Sequence, residues 1–118
     1  MRESLLLEKA IGFAVRVVNL HKYLVRSQKE GVISRQVVRS GTSIGANISE
    51  ANYAQSRADF VSKLHVALKE AAETEYWLRL LKEAEYISRE MGDSMLRDCD
   101  EIKRMLIASI NTAKGKME

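Results

Sequence analysis

ISRQVVRSGTSIGANISEANYA, residues 33–54, is the stretch that decides the fold. Its apolar residues recur every three or four positions, which is the period of one helical face, at Ile33, Val37, Ile44 and Ile48, with Gly41 in the same row. The residues between them are small or poor helix formers, and a glycine inside a helix costs about 1 kcal/mol relative to alanine. We therefore predict a helix that depends on tertiary packing, in which small side chains let a neighbouring helix approach closely.

Gly41 and Gly45 are four positions apart and fall on one side of this predicted helix. Such a small-x-x-x-small spacing allows close helix contact, and the steric part of that rule holds outside membranes as well. The alternative is a Gly-Thr-Ser loop joining two short helices. The intact apolar spacing favours the continuous helix.

Three further segments share the helical period, so four helices are predicted, at about residues 3–27, 33–54, 57–85 and 89–113. Their short polar connections favour an all-α, antiparallel up-down-up-down four-helix bundle that forms a single domain, residues 1–118. Ser56 with Asp59, and later Ser88, are typical N-caps. Gly31 is predicted to supply a left-handed residue after the first helix.

The composition excludes several classes of protein. No proline is present, which favours long uninterrupted helices. No run approaches ~18 apolar residues, so a membrane span is not expected. Glu8 and Lys9 interrupt the apolar start, which is atypical of a signal peptide. The single cysteine, Cys99, is predicted to be a buried thiol in a cytoplasmic protein.

The net charge of +3 is unevenly distributed. Residues 16–39 contain six bases and one acid, a net +5, whereas residues 69–101 contain five bases and ten acids, a net −5. This asymmetry suits an anionic partner, or self-association in which opposite charges meet. Clustered bases can follow a phosphate backbone, so the predicted nucleic-acid-binding residues are Lys22, Arg26, Arg35 and Arg39. The alternative is an ordinary solvated face.

Residues 35–51, RQVVRSGTSIGANISEA, and residues 60–81, FVSKLHVALKEAAETEYWLRLL, carry a family resemblance. They resemble the bacterial four-helix-bundle proteins encoded in intervening sequences of 23S ribosomal RNA genes. The resemblance implies a structural role for the positions that match the family motif: Gln36, Arg39, Ser43, Asn47, Glu50, Glu73 and Glu75. Gly45 departs from the pattern, because many members have proline there, which would bend the helix.

The resemblance also implies a homopentamer without enzymatic activity. A similar protein is the accessory factor of diversity-generating retroelements, so RNA, DNA or a nucleic-acid enzyme such as a reverse transcriptase is the partner that the resemblance implies. Independently, the first helix has an apolar face broader than a four-helix core requires, which predicts a homo-oligomer. Tyr76 and Trp77 are the candidate interface residues, because aromatics are enriched at interfaces.

A catalytic alternative rests on Arg16 and His21, which fit the loose Arg-x4-6-His pattern of some all-helical ribonucleases. Their chemistry would need His21 as acid or base and Arg16 on a phosphate. Residues five apart are separated by about 140° around a helix and do not face each other well. Neither His21 nor His65 has neighbours at metal-ligand spacing. We predict no enzymatic activity, metal or cofactor.

Glu73 and Glu75 could in principle form a carboxylate pair, but residues two apart on a helix point in different directions. We predict instead that one of them is partly buried and pairs with Arg39. Asn47 is predicted to be a buried hydrogen-bonding residue.

Overall fold

The computed structural model describes residues 2–117, and the side chains of residues 5–116. This part of the chain forms four α-helices, which we number in chain order: α1 (Arg2–Arg26), α2 (Val32–Ala51), α3 (Arg57–Glu83) and α4 (Arg89–Met117). Five residues connect each helix to the next, so successive helices run antiparallel. Each helix packs against its neighbours in the chain, and α1 packs against α4, which leaves α1 diagonally opposite α3. The predicted all-α, up-down-up-down four-helix bundle is confirmed.

The glycine-containing stretch is one uninterrupted helix, buried along its α1 side. A Cβ placed on Gly41 would lie 2.8 Å from Cγ1 of Val17, and one placed on Gly45 would lie 3.5 Å from Cβ of Ala10. The missing side chains therefore allow α1 and α2 to pack closely. This confirms the predicted continuous helix and its close contact, and it rules out the alternative of a loop between two short helices.

The core runs along the bundle and is almost entirely aliphatic. Cys99 lies within it, and its thiol donates to the carbonyl oxygen of Ala71 at 3.3 Å. Burial raises the pKa of Cys99 to about 12. The predicted buried thiol is confirmed. Two buried hydroxyls link α2 to α3, since Oγ1 of Thr74 lies 2.8 Å from Oγ of Ser40.

The first connection turns at a residue that sequence inspection did not identify. Lys29, with φ of 55°, is left-handed, whereas Gly31 is the N-cap of α2 with φ of −116°. The prediction for Gly31 is therefore wrong. The reason is Glu30, whose carboxylate accepts hydrogen bonds from the backbone N–H groups of Val32, Ile33 and Ser34. The chain must reverse before Glu30 to place this carboxylate at the start of α2.

The other helix ends are close to their predicted positions. Ser56 Oγ accepts from the backbone N–H of Asp59, and Ser88 Oγ accepts from that of Met91, each at 3.1 Å, which confirms both caps. The second helix ends at Ala51 rather than residue 54, because tight i→i−3 hydrogen bonds close its last turn. The fourth helix continues to Met117, past the predicted end at residue 113, with two lysines in its last turn that favour the C-terminal dipole. Among the helices described, none has the length and apolar character needed to cross a membrane.

Candidate functional site

Four exposed bases surround the connection between α1 and α2, and we call them the basic corner: Lys22, Arg26, Lys29 and Arg35. Among the described side chains, none of them forms an ion pair with an acid. Lys29 donates to the backbone carbonyl of Arg26 at 2.9 Å. The one acid of this segment, Glu30, is buried and turned onto the start of α2. Within the part of the chain whose side chains are described, no neighbouring acid therefore compensates the positive charge of the basic corner.

Arg39 has a different environment from the basic corner. Its guanidinium forms ion pairs with two carboxylates of α3, those of Glu70 at 3.5 Å and Glu73. The indole N–H of Trp77 donates to the same Glu73 oxygen at 2.9 Å. The hydrogen bond from Trp77 has the largest effect in lowering the pKa of Glu73, and the hydrogen bond from Arg39 has the next largest. The hydrogen bond to Glu73 in turn raises the pKa of Arg39. The predicted pairing is confirmed, and it joins α2 to α3.

Glu75 points to the other side of α3, where it forms an ion pair with Lys103 of α4 at 3.1 Å. The two glutamates of the family motif thus contact different helices, as predicted, and do not form an acid–base pair. Glu50 pairs with Lys63 at 3.2 Å, which again connects α2 to α3.

The remaining motif residues lie along α2 and are partly buried. Asn47 donates through Nδ2 to the backbone carbonyl of Ser43 at 2.9 Å, and Ser43 donates to that of Arg39 at 2.7 Å. Asn47 is hydrogen-bonded, as predicted, but it is only partly buried, because its amide bonds to its own helix near the surface. Gln36 also lies on α2 and is partly buried. The motif therefore connects helices and does not converge on one pocket.

Arg16 and His21 do not share a site. Arg16 donates to Ser94 at 3.1 Å and to Asp98 at 2.6 Å, both on α4. His21 lies on the side facing α2, where its Nδ1 is 2.5 Å from Oγ of Ser34. Two groups directed at opposite neighbours cannot act on one phosphate, so this geometry does not support the ribonuclease alternative. Within residues 5–116 no group of three or more His, Cys, Asp or Glu side chains could hold a metal ion.

The candidate interface aromatics lie side by side on α3. The rings of Tyr76 and Trp77 are 5.0 Å apart and inclined at 70°. Tyr76 is 59% exposed, whereas Trp77 is half-buried against the core. Sequence inspection named the breadth of the apolar face of α1 but not which residues remain exposed. Besides Leu5, the exposed large aliphatic residues of α1 are Ile11, Val15, Val18 and Val25, and we call these four the outer stripe.

The fold and these clusters define a class of protein: a small all-α bundle whose basic corner has no acidic partner among the described side chains and whose motif residues connect its helices. Residues 2–108 match the sequence profile of the 23S rRNA-intervening sequence protein family, so the chain belongs to that family. The chain is also similar to a protein of unknown function from the S23 ribosomal protein family of Bacteroides thetaiotaomicron VPI-5482, whose crystal structure is known. The identity is 58%, over 94% of this chain and 99% of that chain, with a TM-score of 0.93. No curated protein matches this chain.

Proposed function

We propose that this protein is a non-enzymatic, self-associating helical bundle that binds nucleic acid through the basic corner. The observation that carries the proposal is that Lys22, Arg26 and Arg35 have no acidic partner among the described side chains, beside a buried Glu30 whose carboxylate caps α2. Clustered bases of this kind bind the phosphate backbone and release its counterions. Arg39 stays with Glu70 and Glu73 in this proposal and serves the bundle.

Binding of this kind reads phosphates and not bases. Tyr23 is the aromatic side chain nearest to the basic corner in sequence, and its hydroxyl accepts a hydrogen bond from Gln28 at 2.7 Å. A single aromatic held in this way is a poor stacking platform for single strands. We therefore propose weak, sequence-independent and salt-dependent binding to duplex or folded nucleic acid. The resemblance adds a nucleic-acid enzyme, such as a reverse transcriptase, as a partner at the same surface.

Self-association belongs to the proposal because the outer stripe exposes four large aliphatic side chains on one helix. Exposed apolar patches of this kind mark interaction sites more often than scattered single residues do. The resemblance supplies the number five, and the proposed assembly is a homopentamer. Light scattering tests it, because a pentamer has five times the chain mass of 13.4 kDa and a monomer contradicts the proposal.

Fluorescence anisotropy with a labelled RNA hairpin and a labelled DNA duplex tests the nucleic-acid role. The Arg26→Ala/Arg35→Ala variant should lose most of its affinity at low salt. The matched control, Arg57→Ala/Lys114→Ala, removes two exposed charges at the opposite end of the bundle and should bind as the wild type does. Equal losses in both variants would show that total charge, and not the basic corner, governs binding. Light scattering on both variants checks that their assembly is unchanged.

The same labelled RNA tests the claim that the protein is not an enzyme. Prolonged incubation should leave the RNA intact. RNA cleavage that His21→Ala abolishes would restore the ribonuclease alternative.

A further inference from the structure

The outer stripe has the spacing of a helix-packing seam. Together with Lys22, its members are separated by four, three, four and three positions, which is the heptad pattern of a coiled coil. All four aliphatic members are 36% to 55% exposed. The bundle does not use this seam, because a separate row of α1, which includes Ala10 and Val17, is fully buried against the other helices. The helix thus has one seam inside the bundle and a second seam outside it.

The outward side of α3 carries a second group of exposed apolar residues, Val66, Ala72 and Tyr76. Because α1 and α3 are diagonal and do not touch, their outward sides face in opposite directions. A side-by-side arrangement of two copies can therefore bring the α1 side of one against the α3 side of the other.

Contacts through α2 show which residues of α1 and α3 lie at the same height, that is, at the same position along the long axis of the bundle. The side chain of Val17 lies against Gly41, and the preceding residue of α2, Ser40, is hydrogen-bonded to Thr74. Val17 and Thr74 are therefore level. Since two antiparallel steps make α1 and α3 parallel, residues just before and after Val17 are level with those just before and after Thr74. The centre of the outer stripe is thus at the height of Ala72 and Tyr76.

Charge agrees with this alignment. Lys22, inside the seam of the outer stripe, is about one helical turn from the level of Glu83 at the end of α3. Both side chains are exposed, and neither has an oppositely charged partner among the described residues. In two copies placed side by side at the same height, these two charges would approach each other.

We infer that the outer stripe of one copy packs in parallel against the outward side of α3 of a second copy, with Tyr76 between Val18 and Lys22 and with Lys22 near Glu83. The two surfaces differ, so the contact is heterologous and repeats from copy to copy, closing into a ring when its rotation allows. This inference rests on the proposed self-association. It assigns Lys22 to the contact between copies, so that Arg26, Lys29 and Arg35 of the basic corner are left for nucleic acid.

Two single variants test the inference, since each blocks one of the two surfaces. Val18→Asp places a charge in the outer stripe, and Tyr76→Asp places one on α3. Each variant alone should be a folded monomer of 13.4 kDa by light scattering and circular dichroism. An equimolar mixture should form a one-to-one complex of twice that mass, because each variant keeps the surface that the other lacks. Ile107→Asp, at a similarly exposed aliphatic residue of α4, is the control and should retain the wild-type mass.

The outcomes separate this inference from the proposed assembly. A wild-type mass of 13.4 kDa overturns both. A wild-type oligomer whose mass Val18→Asp leaves unchanged overturns the inference alone. Monomeric variants that fail to associate when mixed overturn the heterologous contact and indicate pairing of like surfaces. Restoration of the oligomer by Lys22→Glu/Glu83→Lys, after its loss in Lys22→Glu, supports the proposed charge pair.

Discussion

Alanine substitutions at Gly41 and Gly45 should have opposite effects on stability, although the two glycines lie one turn apart on one helix. Both changes add the same methyl group and the same gain in helix propensity, about 1 kcal/mol. They differ in the space that the methyl group meets. At Gly45 its nearest neighbour would be Cβ of Ala10 at 3.5 Å, an ordinary contact. At Gly41 it would meet both γ-carbons of Val17, at 2.8 and 2.9 Å.

The strain at Gly41 cannot relax cheaply. Val17 is fully buried, and a β-branched side chain in a helix has one strongly preferred rotamer. Inserting a methylene-sized group into a packed core costs about 1–3 kcal/mol. Because the propensity gain cancels between the two variants, Gly41→Ala should be less stable than Gly45→Ala by about 1–3 kcal/mol. Gly45→Ala should be more stable than the wild type by up to about 1 kcal/mol.

Urea unfolding followed by far-UV circular dichroism measures both differences at a fixed protein concentration, which matters for a self-associating chain. The Val17→Ala/Gly41→Ala variant is the internal check, because removing the γ-carbons should make the two changes less costly together than their sum. Equal stability of Gly41→Ala and Gly45→Ala, or additive effects in the double variant, would refute the assigned contact between α1 and α2.

Three further predictions follow from individual side chains. Glu73→Gln should make the stability of the fold less sensitive to acid. Trp77 and Arg39 lower the pKa of Glu73, so the ionised carboxylate stabilises the fold at neutral pH, and this contribution is lost as the pH falls below about 4.3. Urea unfolding of the wild type and the variant across this pH range measures the difference. Cys99, whose pKa burial raises to about 12, should react with iodoacetamide only as fast as the fold opens, and rapid labelling of the native protein would contradict its placement. Glu30→Ala removes the acceptor at the start of α2 and should cost about 0.5–2 kcal/mol, whereas an unchanged unfolding midpoint would contradict the cap.

The sequence predicts the bundle well because its signals are local and repeated. Apolar spacing fixes the inner face of each helix, and the serines at residues 56 and 88 are recognisable caps. The role of Gly41 is also visible, since small residues inside an intact apolar row require a close neighbour. The identity of that neighbour, Val17, depends on the relative height of two helices, which no local pattern contains.

The sequence does not predict contacts for which a side chain has several possible partners in the fold. Glu30 reads as a solvated turn residue, but it caps α2 and moves the left-handed residue to Lys29. Arg16 reads as one base among six, yet it is paired across the bundle with Asp98. The outer stripe has the same period as the core row, so the sequence shows a broad apolar face on α1 but not how much of that face stays exposed on the bundle.

The salt dependence of nucleic-acid binding tests the central claim most directly. The affinity for a DNA duplex, plotted as log K against log salt, should fall linearly with a slope of about −2 to −4, since each phosphate neutralised by the basic corner contributes about −0.9. Arg26→Ala/Arg35→Ala should reduce the magnitude of that slope by about 2. No binding at low salt, or a slope that the double variant leaves unchanged, would contradict the assignment of the basic corner to nucleic acid.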